Sequence, residues 1–350
     1  MRHVYWTALL LVPTVWLEAE EPRALPVSKP SHDEGLSWTP GAHEKAAHDS
    51  RPVTAKSELD RESIARLVAD LDAPRFDRRH AAYERLLEIG DAALPALAET
   101  NKSRSAEARF RARRIIALVH TRSLTSQFAQ LCRSSDDRLD VERGMWLIAR
   151  ILEPTLDQRF ISDELDRWAK RVQERLGTDP PRQAKPAEVA KAFQEVLFGD
   201  DGLRGNVANY DAPENSSIAH VLRSRKGLPI TLSEITVAIA RRLDLPLVGV
   251  PTPGRYLVKY DGSRAPDAAG APQPDLYFSP FERGLILDSQ AWRDRFPGVE
   301  PGDIKTGNSR DILRRMLANL ETHLELHRRP EEAELALRCR LLLDEIVTEP

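Results

Sequence analysis

From Ser57 onward, apolar residues recur at the spacing of helix faces. Ile64, Leu67, Val68 and Leu71 stand at i, i+3, i+4 and i+7, and Ala82, Leu86 and Ile89 repeat the pattern until Gly90 interrupts it. A third segment runs from Ala92 to Thr100 with Pro95 near its start, and Ala108, Ala112, Ile115 and Val119 form a fourth stripe. Three further helices are expected on Val141, Met145, Ile148 and Leu152; on Ile161, Leu165, Trp168 and Val172; and on Val189, Ala192, Phe193, Val196 and Leu197. At this spacing Trp168 and Phe193 read as core residues rather than as a ligand box.

After Gly202 the period changes. Arg204 to Ser216 is rich in Gly, Asn, Asp, Pro and Ser and cannot hold a helix; a short one starts at His220 and ends before Gly227 and Pro229. Thr231-Leu232-Ser233-Glu234 then has the S/T-x-x-E spacing of a capping box, which makes Thr231 the expected N-cap of a helix reaching about Leu243. That helix carries Leu232, Ile235, Val237, Ala238, Ile239, Ala240 and Leu243 with almost no polar face before Arg241, so other structure must enclose it. Short β-rich runs follow at Leu247 to Val250, Tyr256 to Tyr260, Leu276 to Phe278 and Leu285 to Leu287, separated by Pro and Gly. A buried helix leading into a small antiparallel sheet is an α+β arrangement, here behind a mainly helical N-terminal region. Two stripes near the end, Leu313, Met316, Leu317, Leu320 and Ala333, Leu337, Leu341, predict a closing helical hairpin.

Ahead of Ser57, Pro22, Pro26, Pro30, Pro40 and Pro52 stand among charged and small residues without apolar periodicity, the composition of a disordered linker. His43-Glu44-Lys45-Ala46-Ala47-His48 within it approaches a zinc motif, but histidines five apart do not share a helix face, so no metal is implied. Arg2 and His3 followed by the apolar run Val4 to Leu17 read as a signal peptide, too short for a stable membrane span. With 51 basic and 54 acidic side chains, net charge −3, no overall field marks the chain for nucleic acid. The basic stretch from Lys102 to Arg114 alternates with Ala and Glu and reads as a solvated helix face. Cys132 and Cys339 are too few for a disulfide framework, and the sequence leaves open whether they pair. No phosphate-cradling glycine loop or paired C-x-x-C points to a cofactor.

Gly205-Asn206, Tyr210-Asp211-Ala212-Pro213, Asn215-Ser216, Val221-Leu222, Arg225 to Ser233, Ala240 to Leu243, Gly249-Val250, Pro253 to Val258 and Ser279-Pro280-Phe281 together resemble the bacterial SirB-type branch of the transglutaminase-like superfamily. The resemblance spans residues 137 to 350 and includes the tail, which in that branch is a tetratricopeptide-like helix pair. Arg79, Ala82, Leu86, Gly90, Ala93, Pro95 and Leu97 resemble a HEAT-type repeat, whose helix pairs mostly bind proteins. The organisation this implies is a signal peptide over 1–19, a linker over 20–57, HEAT-like repeats over 58–121, a helical region over 122–200, a transglutaminase-like core of papain-related fold over 201–300 and the tetratricopeptide-like tail over 301–350.

Superfamily chemistry uses a Cys, His, Asp triad, its thiolate stabilised at the start of the buried helix. The resemblance places the cysteine position near Pro229 to Thr231, where no cysteine stands; it puts Arg255 where the branch reads His and Ser279 where it reads Asp. Arginine cannot act as a base at neutral pH and serine carries no charge to orient an imidazolium. No catalytic residue is therefore assigned. Thr231, Arg255 and Ser279 mark a degenerate triad region, with Asn206, Asn215 and Ser233 as candidate cleft residues and Arg255 a candidate anion site. The expected role is a non-catalytic interaction or scaffolding module with a protein partner. The alternative is an amide or thioester hydrolase or acyltransferase built on Thr231 or Ser233 with His220 and Asp275 or Asp288. If the N-terminal run is a signal, mass-spectrometric mapping of the mature protein will show about the first 20 residues removed; an intact Met1 excludes it.

Overall fold

A computed structural model describes residues 53–177, 180–266 and 270–345; the expected signal peptide, the His43 to His48 run and the linker as far as Pro52 lie outside them. Four helices come first: α1 (Val53–Asp70), which begins ahead of the expected Ser57, α2 (Phe76–Ile89), α3 (Leu94–Glu99) and α4 (Ala106–Cys132). Their stripes face one another, and Ile64, Leu71, Ala82, Leu86, Leu97, Ile115 and Val119 close a core of their own. Ser105 caps α4, its Oγ accepting the Ala108 N–H at 3.2 Å. The boundary expected after residue 121 is not a break. Arg122 to Gln130 contains no Gly or Pro, so α4 continues for 27 residues in all. Leu124, Phe128 and Leu131 carry its apolar stripe into the main core, so one helix serves both cores.

The main core is built by α5 (Val141–Leu152), α6 (Gln158–Leu176), α7 (Pro186–Leu197), α8 (Ile218–Ser224) and α9 (Pro229–Arg242). Every residue of α9 from Ile230 to Ala240 is buried. At its exposed end Arg242 grips Glu142 with two guanidinium nitrogens at 2.7 and 2.9 Å and Asp166 at 2.5 Å, tying α9 to α5 and α6. Two short parallel strands, β1 (Arg204–Gly205) and β2 (Lys226–Gly227), bracket α8.

The sheet is an antiparallel meander of β3 (Leu247–Thr252), β4 (Arg255–Tyr260), β5 (Leu276–Ser279) and β6 (Leu285–Leu287). Its register sets Gly249 opposite Val258, Val258 opposite Phe278 and Phe278 opposite Ile286. Alternation sends Tyr256, Val258 and Tyr260 into the core with α9. Leu257 joins Val250, Tyr277 and Leu287 on the other face, beneath Trp292 and Phe296 of α10 (Ser289–Arg295) and the residue after it.

α11 (Ser309–Leu326) and α12 (Pro330–Glu345) pack against each other as the predicted hairpin. Leu313, Met316, Leu317 and Leu320 are buried as the stripe requires. The face predicted for α12 is turned: Ala333, Leu335, Ala336, Cys339 and Leu343 are buried, Leu337 is half-buried and Leu341 is exposed. α12 lies against α4 and α5 as well as α11, and the small Ala336 and Cys339 allow that approach where larger leucines would hold the helices apart. Cys132 and Cys339 are free and fully buried, and burial pushes their thiols up to about 11 and about 12. Arg310 staples this corner, pairing with Asp136 at 2.6 Å and donating to the carbonyls of Cys132, Ser134 and Leu343. Among the described residues no helix is long and apolar enough to cross a membrane.

Because α9 is enclosed on all sides, Ile239→Asp buries an unpaired carboxylate and is expected to cost about 3 kcal/mol or more. Arg255→Ala, at an exposed position, is expected to cost less than about 1 kcal/mol. Urea melts of the two variants check this; equal losses would place the core elsewhere.

Candidate degenerate active site

Pro229 decides where α9 begins. Its ring fixes φ near the helical value and its missing N–H is one the first turn leaves unbonded anyway. Leu228, extended at φ −77° and ψ 160°, is the N-cap. Thr231 is therefore inside the first turn rather than the cap expected from the Thr-x-x-Glu spacing. It is fully buried, and its hydroxyl has no hydrogen-bond partner among the described residues.

Glu234 consequently enters the helix–sheet interface instead of reaching back to a cap. Its Oε1 accepts the Tyr256 hydroxyl at 3.0 Å. Burial pushes its carboxyl up to about 7, against the pull of that bond and of Arg241. Burial and the neighbouring Glu234 raise Tyr256 as well, so the phenol keeps its proton and donates. Contact this close needs a residue without a side chain beneath it. A Cβ at Gly249 would lie 2.3 Å from Glu234 Oε1 and 2.6 Å from the Tyr256 hydroxyl. One residue before Glu234, Ser233 is fully buried and donates to the Tyr256 carbonyl at 3.4 Å, so it does not line a cleft.

Arg255 opens β4 and Ser279 closes β5, and the two meet through Glu282. The Ser279 Oγ accepts the Glu282 N–H at 3.4 Å and caps the tight turn Pro280–Glu282. The Glu282 carboxylate holds Arg295 at 2.9 Å and Arg255 at 3.5 Å. Ser279 is buried and Arg255 is exposed.

Asn206 and Asn215 shape the adjoining loop. Asn206 donates to the Asn215 side-chain oxygen at 2.9 Å, and Asn215 donates to the carbonyls of Asn209 and Tyr210 at 2.6 and 3.0 Å. Asn215 is fully buried, so it stands behind the cleft and supports it. The loop holds Tyr210 at the surface, its ring 5.9 Å from Phe281 and 6.3 Å from His323. Phe281 can sit there because residue 205 is glycine; a Cβ would come within 2.5 Å of its ring. Arg315 of α11 completes the surroundings, its guanidinium 5.5 Å over the Tyr256 ring and donating to the Arg255 carbonyl at 3.5 Å. Sequence reasoning missed Arg315 as a site residue, because a charged position on a tail helix gives no sign of facing a strand start sixty residues earlier.

The alternative triad is not assembled. Ser233 bonds a backbone carbonyl, Asp275 pairs with Lys259 at 2.7 Å, and Asp288 caps α10 by accepting the Gln290 and Ala291 N–H groups. Among the described residues no hydrogen bond joins His220 to Thr231, Ser233, Asp275 or Asp288, its backbone N–H going to the Ser217 hydroxyl at 3.3 Å, and no group of three or more His, Cys, Asp or Glu could hold a metal. A cleft of about 1520 Å³ lined by Pro186, Pro246 and Gln273 shares no residue with this site.

The family profile described as Transglutaminase-like superfamily matches residues 159–318, from α6 into α11. A UPF0162 protein of Xylella fastidiosa (strain Temecula1) is 30% identical over 222 residues, covering 60% of this chain and 72% of its own length. The chain belongs to the SirB-type transglutaminase-like family. A UPF0162 protein of Vibrio cholerae is 25% identical over 215 residues, covering 60% of this chain and 74% of its own length. Protein SirB1 of Salmonella typhimurium is 24% identical over 203 residues, covering 56% of this chain and 69% of its own length. No solved structure gives a significant match. At the positions that the resemblance assigns to the triad stand a buried threonine, an ion-paired arginine and a turn-capping serine.

Glu234 makes folding depend on pH in a stated direction. Its folded value of about 7 exceeds the ordinary 4.5, so the stability it contributes is fully present below about pH 4.5 and is lost as pH rises through about 7. Denaturant melts should show a decline of about 3 kcal/mol across that window. Glu234→Gln, which keeps an acceptor for Tyr256, should flatten it; an unchanged slope would assign the dependence to other groups.

Proposed function

We propose that this protein is an exported, non-catalytic member of its family, whose former active-site region serves as a binding platform for a protein partner. The observation that carries this reading is the fate of the helix start. The hydroxyl at the cysteine position, Thr231, is fully buried without a hydrogen-bond partner among the described residues, while Arg255 and Ser279 are both engaged through Glu282. A hydroxyl nucleophile needs an aligned base and oxyanion donors, and a guanidinium supplies no base. The two helical flanks support a binding role: α1–α4 as a HEAT-like module and α11–α12 as a tetratricopeptide-like pair frame the core with paired helices, which commonly present concave protein-binding surfaces. The N-terminal apolar run Val4 to Leu17 is the basis for export.

Amide and thioester probes test this. The native protein should show no turnover, and neither should Arg255→His combined with Ser279→Asp, because the helix start still offers no thiol. Turnover by the native protein that survives Arg255→Ala but disappears on Ser233→Ala would overturn the reading in favour of a serine-based hydrolase.

A further inference from the structure

The positive charge around the degenerate site is only partly neutralised. Arg255 and Arg295 share one carboxylate, Glu282, and do so unequally: Arg295 sits at 2.9 Å with its side chain largely covered, Arg255 at 3.5 Å with 43% of its side chain exposed. A partly exposed ion pair of the second kind is weak, so an incoming anion can take Arg255 while Arg295 stays paired with Glu282. Arg315 has no carboxylate within ion-pair distance among the described residues; it stacks on Tyr256 and bonds the Arg255 carbonyl. The acids of the neighbouring loop are occupied, Asp211 with His327 at 3.4 Å and Glu214 with Arg329 at 3.0 Å.

The aromatic edge belongs to the same place. Tyr210 is half-exposed, packs on Phe281, and its phenol feels the charges of both Arg315 and Arg255, although burial raises its pKa overall. Val207 in the same loop is 72% exposed. Two guanidinium forks beside an accessible phenol ring and an aliphatic side chain suit an anion that arrives attached to an organic chain. A planar carboxylate takes the fork, and the chain behind it lies on the ring. A small, fully hydrated anion has no use for the apolar part.

We infer that the platform recognises a peptide carboxylate, gripped between Arg255 and Arg315 with the adjoining residue seated against Tyr210. This rests on the non-catalytic reading, since a bound peptide must survive. The carboxylate comes either from a chain terminus or from an acidic side chain, and the test separates the two.

Fluorescence anisotropy would use three labelled random octapeptide pools: one with free C-termini and no Asp or Glu, one amidated and containing Asp and Glu, and one amidated without either. The third pool should bind at least tenfold more weakly than the better of the first two, and whichever of those leads identifies the source. Arg255→Ala and Arg315→Ala should each weaken that pool tenfold or more, Arg255→Lys less, with thermal melts confirming that the variants fold. Equal binding of the third pool, binding unaffected by both alanine variants, or competition by inorganic phosphate with no peptide binding would overturn the inference. Mass spectrometry of the same samples distinguishes the two readings. Cleaved peptide defeats the non-catalytic function, whereas intact, unbound peptide defeats the carboxylate assignment alone.

Discussion

The hydrogen bond between Tyr256 and Glu234, made over Gly249, is the contact on which the arrangement of the site depends. A carboxyl buried in an apolar interface is tolerable only when it is hydrogen-bonded and can hold its proton, and this one has both provisions. The bond sets how closely α9 lies on the sheet and which part of β4 it meets. From there the backbone does the rest. Arg255 is one residue before Tyr256, and the β4–β5 register, Val258 opposite Phe278, brings Ser279 alongside. The relative positions of helix start, arginine and serine thus follow from one buried polar contact and two strand pairings.

Around that frame the residues of the candidate site act as a set of internal supports. Ser279 caps a turn, the turn carries Glu282, and Glu282 holds two arginines of different elements. Asn206 and Asn215 fix the loop that presents Tyr210. The helical tail is part of the site rather than an appendage. α11 supplies Arg315 against β4 and His323 against Tyr210, and Arg310 locks the same helix to the end of α4 through backbone carbonyls. Through α4, which continues unbroken from the N-terminal helices into the main core, the first helical layer is joined to the body that carries the site.

The sequence by itself determined the elements. Helix-period stripes located the longer helices, though not the short α10, the enclosed character of α9 could be read from its lack of a polar face, and the β-rich runs match the four strands of the meander to within a few residues. These are one-dimensional properties, because burial along a single element leaves its period in the chain. That Arg255 and Ser279 are neither histidine nor aspartate was equally legible, being a matter of residue identity.

Tertiary structure decided what lies across from what. Thr231-Leu232-Ser233-Glu234 satisfies a capping box and an interior turn equally well, and only Pro229 at the helix start together with Tyr256 opposite Glu234 selects the second. On α12 leucines occur on two faces, and the closeness of α4 and α11 chose the one bearing Ala336 and Cys339. Arg315, sixty residues from Arg255 in the chain, became part of the site only through the packing of α11 on the end of β4. Local pattern records how each segment partitions between core and solvent, whereas a site joins side chains from several segments, and their meeting is set by packing that no single segment encodes.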